Sequence, residues 1–218
     1  MPRLARVIAE RIPHHVTQRG NRRMPTFFQD ADYQAYIDLM SEWCGKCNVE
    51  IWAYCLMPNH IHLIAVPETI DGLRKGIGEA HRRYSRMINF RENWRGHLWQ
   101  GRFASFPMDE AYLLAAARYV EMNPVRARLV STAESWKWSS AGAHLSGKDD
   151  NLVRVTPLLE IAGDRRLLLS EMEDEALISS FRKHERTGRP LGSESFITTL
   201  ESQLERRLKT GKPGPKGK

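Results

Sequence analysis

Long apolar runs, a hydrophobic leader and an even set of cysteines are all missing from this sequence of 218 residues. No apolar stretch reaches the roughly eighteen residues that a membrane-spanning helix needs, and the N-terminus carries no hydrophobic signal segment. The cysteines are Cys44, Cys47 and Cys55, an odd and small number that suits a reducing compartment better than a disulfide framework. We therefore expect a cytoplasmic protein that is not embedded in a membrane.

Two signatures of zinc or nucleotide binding are also incomplete or absent. Cys44 and Cys47 have the CxxC spacing, but no second CxxC or nearby Cys/His pair would complete a zinc site, so we interpret the pair as incidental. The GxxxxGK[ST] loop that cradles nucleotide phosphates does not occur. Any phosphoryl-transfer chemistry would have to proceed without a P-loop.

Positive charge is concentrated in two parts of the chain, although the formal net charge is only +7. Residues 1–130 hold 18 basic and 13 acidic side chains, residues 131–208 hold 11 and 13, and residues 209–218 hold four lysines and no acid. A basic body and a basic tail favour a polyanionic partner, most simply nucleic acid, over a merely solvated surface. The composition of the tail also predicts disorder.

Hydrophobic periodicity predicts an alternation of strands and helices up to residue 122. We expect strands at 14–19, 49–56, 60–66 and 103–108, and helices at 30–46, from 70 or 73 to 89, and 110–122. This order is that of the split βαβ, ferredoxin-like fold, an α+β architecture with helices on one face of an antiparallel sheet and the last helix appended. In this arrangement we expect both hairpin strands, 49–56 and 60–66, to be central.

Beyond residue 130 the pattern changes to short helical segments, which we treat as a C-terminal extension over residues 131–208. Residues 136–150 are predicted to be irregular, and Thr156-Pro157 to open a short helix. The capping-box pattern of Ser170 and Glu173 predicts a helix that ends near Gly188. Apolar residues spaced by four from 196 to 208 predict a last helix, which could form a helix-turn-helix-like pair or simply pack on the core.

Two histidines stand at the start of the returning hairpin strand. Side chains alternate between the faces of a strand, so His60 and His62 point the same way while Ile61 and Leu63 point the other. Imidazole is a common ligand for divalent ions, so the pair is a candidate metal site, although a structural or surface pair is also compatible with this spacing.

The helix predicted at 110–122 carries a second constellation. Tyr119 and Asn123 lie four residues apart and so share one helical face, whereas Glu121 points about 200° away from Tyr119. Pro124 disfavours the α conformation at Asn123 and should end the helix there. A tyrosine near a helix end could equally be a packing residue.

Basic and amide side chains accompany aromatic residues after the first strand and along the second helix, a mixture that suits single-stranded nucleic acid. We offer as DNA-binding candidates Arg19, Asn21, Arg22, Arg82, Arg83, Arg86 and Arg102.

Five stretches together resemble the HUH single-tyrosine (Y1) transposases, in particular the subgroup associated with repetitive extragenic palindromes (REP) in bacteria. They are HVTQRGN (15–21), YCLMPNHIHL (54–63), WQGRF (99–103), RYVEMNPVRARLV (118–130) and WKWSS (136–140). The resemblance implies a ferredoxin-like nuclease core over residues 1–130, a divalent metal, Mg or Mn, and cleavage and rejoining of single-stranded DNA through a 5′-phosphotyrosine.

Position by position, the resemblance makes Tyr119 the nucleophile, His60 and His62 metal ligands, and Asn123 the third ligand, where related transposases commonly have glutamine. It also implies a DNA hairpin substrate flanked by a short recognised tetranucleotide. A monomer and a homodimer both remain compatible with the sequence. Deprotonating an ordinary tyrosine at pH 7 costs about 4 kcal/mol, which a metal could offset by stabilising charge on the phosphate.

Two other functions are compatible with parts of the sequence. A non-catalytic nucleic-acid-binding module could share the ferredoxin-like topology, which RNA-recognition domains also use, but it would leave His60, His62 and Tyr119 without a role. A zinc hydrolase would be expected to recruit another strong ligand, and the sequence indicates none.

Overall fold

The fold is built around a four-stranded antiparallel sheet. Its strands are β1 (His14–Arg19), β2 (Val49–Met57), β3 (His60–Pro67) and β4 (Ala104–Pro107), in the spatial order β2-β3-β1-β4. The computed structural model describes residues 6–164, 169 and 174–209. The expected α+β, ferredoxin-like topology is confirmed, but β2 is an edge strand rather than a central one. The connection from β1 to β2 leaves a gap of one strand, and β3 returns into that gap beside β1.

Eight α-helices surround the sheet in the described part of the chain. They are α1 (Asp30–Lys46), α2 (Gly72–Arg91), α3 (Glu110–Glu121), α4 (Asn123–Arg126), α5 (Ala141–Ser146), α6 (Thr156–Ala162), α7 (Glu175–Thr187) and α8 (Glu194–Gln203). The first three begin and end within a few residues of the predicted limits. No helix in the described ranges is long and apolar enough to span a membrane.

The two faces of the sheet are covered by different helices. Val16 and Leu63 point to the face on which α1 and α2 pack, where Tyr36 is fully buried. The alternate residues of the strands, such as Ile64 and Phe106, point to the opposite face and meet α3 and α7. The histidines at 60 and 62 therefore project towards the α3 side.

The outer edge of β2 is covered by the segment around the WKWSS motif. Leu56 N donates to Trp138 O at 2.9 Å, and Trp136 Nε1 donates to Leu56 O at 3.0 Å. Cys55 also forms an isolated bridge with Ser139. Pairing of this kind protects an edge strand from the solvent, so the start of the extension completes the sheet.

The extension differs from its prediction at one point, the segment 136–150. Residues 136–150 were expected to be irregular, but the structure has the short helix α5 at Ala141–Ser146, whose six residues are too few for a periodicity to be visible. Ser170 and Glu173 lie outside the described residues. Asp174 caps α7 by accepting from Ala176 N, and Gly188, with a φ of 67°, ends that helix as predicted.

The last helix packs on the segment before β1, in a small apolar cluster separate from the main core, and the helix-turn-helix-like pair stays a prediction. Leu200 of α8, together with the buried Leu208, contacts Val7 and Ala9 near the N-terminus. Helix α7 packs separately, against β1, β4 and α3. The lysine-rich tail predicted at 209–218 lies outside the described residues from residue 210 onward.

Candidate active site

One cleft on the α3 side of the sheet brings the predicted site residues together. It has a volume of about 440 Å³. It is lined by Arg19, His60, His62, Tyr119, Asn123, Ser179, Arg182, Glu185 and Arg186. Strand β1 supplies Arg19, β3 the histidines, α3 the tyrosine, α4 Asn123 and α7 the last four residues, and of these five elements only α7 was not expected to contribute.

Both histidines have Nδ1 engaged by a neighbouring side chain. Asn59 Oδ1 lies 2.6 Å from His60 Nδ1, and His15 Nε2 lies 3.0 Å from His62 Nδ1. Burial lowers the pKa of His60 to about 4, with Arg19 adding to the effect, and it lowers the pKa of His62 well below its usual value. Both rings are therefore neutral at pH 7, the form that binds a metal.

Asn123 presents its amide oxygen because its nitrogen is used by the main chain. Helix α3 ends at Glu121, and Asn123 opens the short α4, in which Pro124 occupies the first turn. Nδ2 of Asn123 donates to Tyr119 O at 3.1 Å and to Val120 O at 3.3 Å. The remaining acceptor, Oδ1, is a hard ligand of the type that Mg and Mn prefer.

The Tyr119 ring is buried, and its hydroxyl approaches a carboxylate. Its centroid lies 5.2 Å from that of Phe181 and 4.4 Å from the Arg126 guanidinium carbon. The hydroxyl donates to Glu185 Oε1 at 3.5 Å. Burial raises the pKa of Tyr119, the charge of Glu185 adds to the rise, and Arg126 and Arg182 act in the opposite direction.

His15, Glu185 and the other α7 residues that line the cleft, Ser179, Arg182 and Arg186, were not predicted. His15 is buried in β1 beside β3, and Glu185 Oε1 lies 3.7 Å from His15 Nδ1 and 3.7 Å from His62 Nδ1. The three residues offer donor atoms within 4.8 Å of one another, as a metal site would. Burial raises the pKa of Glu185 to about 7, against the opposing charge of Arg19. Glu185 and His15 are further potential metal-binding side chains beside His62, which the sequence did not indicate.

The pairing of β1 with β3 could have indicated His15. Thr17 lies opposite His62, and His15, two residues before Thr17, points to the same face of the sheet. For Glu185 there was no sequence signal, since it lies in the extension, more than 60 residues beyond Tyr119.

The donor set fits a divalent ion with mixed nitrogen and oxygen preferences. The cleft combines ligands of intermediate hardness, the two imidazoles, with hard ligands, an amide oxygen and a carboxylate. Mn accepts such a mixture. The donor atoms of His62 and Glu185 lie within 4.8 Å of each other and of His15, and metal binding by His60 and Asn123, which line the same cleft, stays a prediction. Both histidines retain Nε2 as the free ring nitrogen once Nδ1 is engaged.

The predicted DNA-binding residues are spread over different surfaces. Arg19 lines the cleft, and Asn21 and Arg22 lie in the exposed turn that follows β1. Arg82 and Arg83 lie on α2, on the opposite side of the sheet, where both donate to Glu79. Arg86 is exposed on the same helix, and Arg102 is exposed before β4. The role of these residues in DNA binding stays a prediction.

Comparison with known proteins places this geometry in a family. The sequence model described as "Transposase IS200 like" matches residues 9–123, more than half of the chain. A solved REP-associated tyrosine transposase bound to a REP hairpin is 20% identical, with a TM-score of 0.59, over 69% of this chain and 90% of that one. A protein from Deinococcus radiodurans, described as a candidate transposase, is 17% identical, with a TM-score of 0.39, over 55% and 96%. No curated protein matches the chain.

The likeness to the solved REP-associated transposase supports the fold that the strand order establishes. The family match covers all four strands, and within it lie the two histidines of β3, Tyr119 and Asn123. Because this match extends over more than half of the sequence, the chain belongs to the IS200-like transposase family of DNA-processing enzymes.

Proposed function

We propose that this protein cleaves and rejoins single-stranded DNA in a metal-dependent reaction through a 5′-phosphotyrosine on Tyr119. The observation that carries the proposal is the convergence of Tyr119, His60, His62 and Asn123 on one cleft, with Arg19 at its edge. Membership of a transposase family supports DNA as the substrate. The hairpin form of that substrate is supported by the solved transposase with similar fold, which is bound to a REP hairpin.

The reaction is a transesterification that needs no nucleotide cofactor. The oxygen of Tyr119 attacks phosphorus, the bond from phosphorus to the 3′ oxygen breaks, and that oxygen leaves as a 3′ hydroxyl after taking a proton. The 5′ phosphate stays on the tyrosine, and another 3′ hydroxyl can reverse the step. The phosphodiester energy is thereby retained, which agrees with the absence of a P-loop from the sequence.

The side chains of the cleft divide the remaining tasks. Nε2 of His60, Nε2 of His62 and Oδ1 of Asn123 would hold the divalent ion, Mg or Mn. When bound, such an ion polarises a non-bridging phosphate oxygen and stabilises the charge that develops on it. Arg19 supplies positive charge for the phosphate, and Arg126, placed over the Tyr119 ring, favours its phenolate. The charges of Arg126 and Arg182 oppose the effect of burial, which raises the pKa of Tyr119 and makes its deprotonation harder.

The alternative of a non-catalytic binding module is less compatible with the arrangement of the sheet. RNA-recognition domains stack bases on an open sheet face. Here, within the described part of the chain, α1 and α2 cover one face and α3 and α7 cover the other. Binding without cleavage remains an outcome that the experiment distinguishes.

The experiment is a denaturing gel that detects a covalent protein–DNA band. Hairpin oligonucleotides from the host's own repeats carry a label at the 3′ end, because the 5′ phosphate of the 3′ fragment joins the tyrosine. Wild type, Tyr119→Phe, His60→Ala and the control Tyr112→Phe are incubated with Mn, Mg, Zn or chelator. Tyr112 lies on the same helix outside the cleft.

We expect the band with wild type and Tyr112→Phe in Mn or Mg, and its loss in Tyr119→Phe and His60→Ala. Both inactive variants should retain affinity for the hairpin. A band from Tyr119→Phe would overturn the nucleophile, and full activity in chelator would overturn the metal. Cleavage with Zn alone would favour the zinc hydrolase. Hairpin binding by wild type with no cleavage in any metal would favour the binding module.

A further inference from the structure

A cluster of three polar groups, the buried His15 and His62 and the partly exposed Glu185, connects the C-terminal extension to the sheet. His62 Nδ1 lies 3.0 Å from His15 Nε2, and the two rings are within 16° of parallel. Glu185 Oε1 lies 3.7 Å from His15 Nδ1 and also 3.7 Å from His62 Nδ1. His15 Nδ1 is buried and has no hydrogen-bond partner among the described residues. A buried polar atom normally has a hydrogen-bond partner. The Glu185 carboxylate, 3.7 Å away, is the candidate partner for His15 Nδ1.

The direction of the hydrogen bond between the two histidines decides whether His62 can bind a metal through Nε2. A neutral imidazole carries one proton. When His62 Nδ1 donates to His15 Nε2, the proton of His15 is on Nδ1 and faces Glu185, and the lone pair of His62 Nε2 is free. When His15 Nε2 donates instead, His62 carries its proton on Nε2, and that nitrogen cannot bind a cation.

Glu185 selects between these two arrangements. A carboxylate oxygen accepts hydrogen bonds and repels a lone pair. With Oε1 of Glu185 at 3.7 Å from both His15 Nδ1 and His62 Nδ1, the favourable arrangement places the proton of each ring on Nδ1. The proton of His62 is then on Nδ1, and its Nε2 is available. Outer partners of this kind commonly fix the tautomer of a metal-binding histidine.

His60, the neighbouring predicted ligand, also has a hydrogen-bond partner at its Nδ1. Asn59 Nδ2 donates to Arg23 O at 3.0 Å, which fixes the orientation of the amide. Asn59 Oδ1 therefore faces His60 Nδ1 at 2.6 Å as an acceptor. His60 is thereby held with its proton on Nδ1, and the arrangement at His62 matches it.

We propose that His15 and Glu185 are positioning residues that hold His62 as an Nε2 ligand, so that the C-terminal extension forms part of the metal centre. The proposal rests on the metal-dependent function proposed above and assigns the extension a role in it. Glu185 could alternatively bind the cation directly, since its carboxylate belongs to the group of donors within 4.8 Å. The two roles differ in one respect: positioning requires His15, and direct ligation does not.

The first measurement is made without metal, so that it is independent of the proposed activity. Long-range ¹⁵N–¹H NMR spectra of the histidine rings distinguish a proton on Nδ1 from one on Nε2. We expect the Nδ1–H form for His60, His62 and His15 in the wild-type protein. In Glu185→Gln, His62 should lose its preference for that form, while His60 should keep it. A wild-type His62 with its proton on Nε2 would overturn the proposal.

The second measurement is the affinity for Mn²⁺, read from the EPR signal of the free ion. His15→Leu and Glu185→Gln should each weaken binding by about 10–100-fold. The double variant should bind no more weakly than the weaker single variant, because both changes disrupt the same set of contacts around His62 Nδ1. His15→Gln, which retains an acceptor near the position of Nε2, should bind more tightly than His15→Leu.

The controls separate this proposal from loss of fold and from failure of the proposed function. Glu175→Gln changes an exposed carboxylate at the start of the same helix and should leave Mn²⁺ affinity unchanged. Circular dichroism checks that each variant is folded. Single variants with wild-type affinity would overturn the proposal, and multiplying effects in the double variant would assign Glu185 as a direct ligand. If wild type binds no Mn²⁺ and forms no covalent band, it is the proposed function that fails.

Discussion

The buried contact between Glu121 and His144 should contribute strongly to the stability of the folded protein. Both side chains are fully buried, and His144 Nδ1 lies 2.6 Å from Glu121 Oε1. Ser140 Oγ donates to the same oxygen. Glu121 belongs to α3, and the other two residues belong to the extension, so this contact fixes the helix that carries Tyr119. The perturbation is His144→Ala, which leaves the carboxylate buried with one fewer donor.

The magnitude follows from the burial of the remaining group. Removing one partner of a buried pair costs about 3–5 kcal/mol, and we expect about 3 kcal/mol because the Ser140 hydroxyl remains in place. For a chain of this length, 1 kcal/mol corresponds to about 2–4 °C in Tm, so Tm should fall by about 6–12 °C. The exposed His97, changed to alanine, should alter stability by no more than about 0.5 kcal/mol.

Chemical unfolding at pH 7, followed by tryptophan fluorescence, measures both variants against wild type. The double variant Glu121→Leu/His144→Leu removes the charge together with its partner and keeps similar volumes, so it should lose less stability than His144→Ala. Ser140 Oγ would still donate to Tyr54 O at 3.3 Å. A double variant that is less stable than His144→Ala would refute the reasoning, because the loss would then come from packing and not from a buried carboxyl group that lacks a partner.

Three further predictions concern charge and thiol chemistry. Burial alone would raise the pKa of Asp32, but hydrogen bonds from Arg91 and the backbone hold it below its usual value. The stability that this pair contributes is present above about pH 4 and is lost as pH falls through the lowered pKa of Asp32 in the folded protein. Unfolding curves of Arg91→Gln and wild type should therefore differ most at pH 7 and converge in acid. In salt titrations of hairpin binding, Arg19→Ala should reduce the slope by about 0.7–0.9, and Arg82→Ala by less, because Glu79 already pairs with it. Mass spectrometry after iodoacetamide treatment should find the half-buried Cys47 modified before the two buried cysteines.

The sequence was sufficient to predict the order of elements through α3 because each of those elements has a clear period. Apolar residues at intervals of three and four mark α1, and β-branched and aromatic residues mark the hairpin. The spatial order of the strands was not fully predicted. Which hairpin strand lies in the centre depends on the connection between β1 and β2, a long-range feature that periodicity within a strand does not contain.

The candidate site was predictable where its residues share one element. His60 and His62 lie on one face of β3, and Tyr119 and Asn123 lie four residues apart, so local geometry places each pair correctly. Glu121 was expected to point away from Tyr119, and its contacts with α5 agree. The residues that were missed are those that another element brings in. Glu185 reaches the site only because α7 packs across β1 and β4.

The opposite directions of Tyr119 and Glu121 explain why the extension matters for the site. On one side of α3, Glu121 is held by His144 and Ser140, and on the other side the hydroxyl of Tyr119 meets Glu185. Both sets of contacts come from residues beyond 130, so helix α3 lies between two parts of the extension. Packing is continuous across residue 130, although the sequence pattern changes there. The position of Tyr119 relative to the histidines of β3 therefore depends on the sheet and on the extension together, and it should respond to substitutions in either.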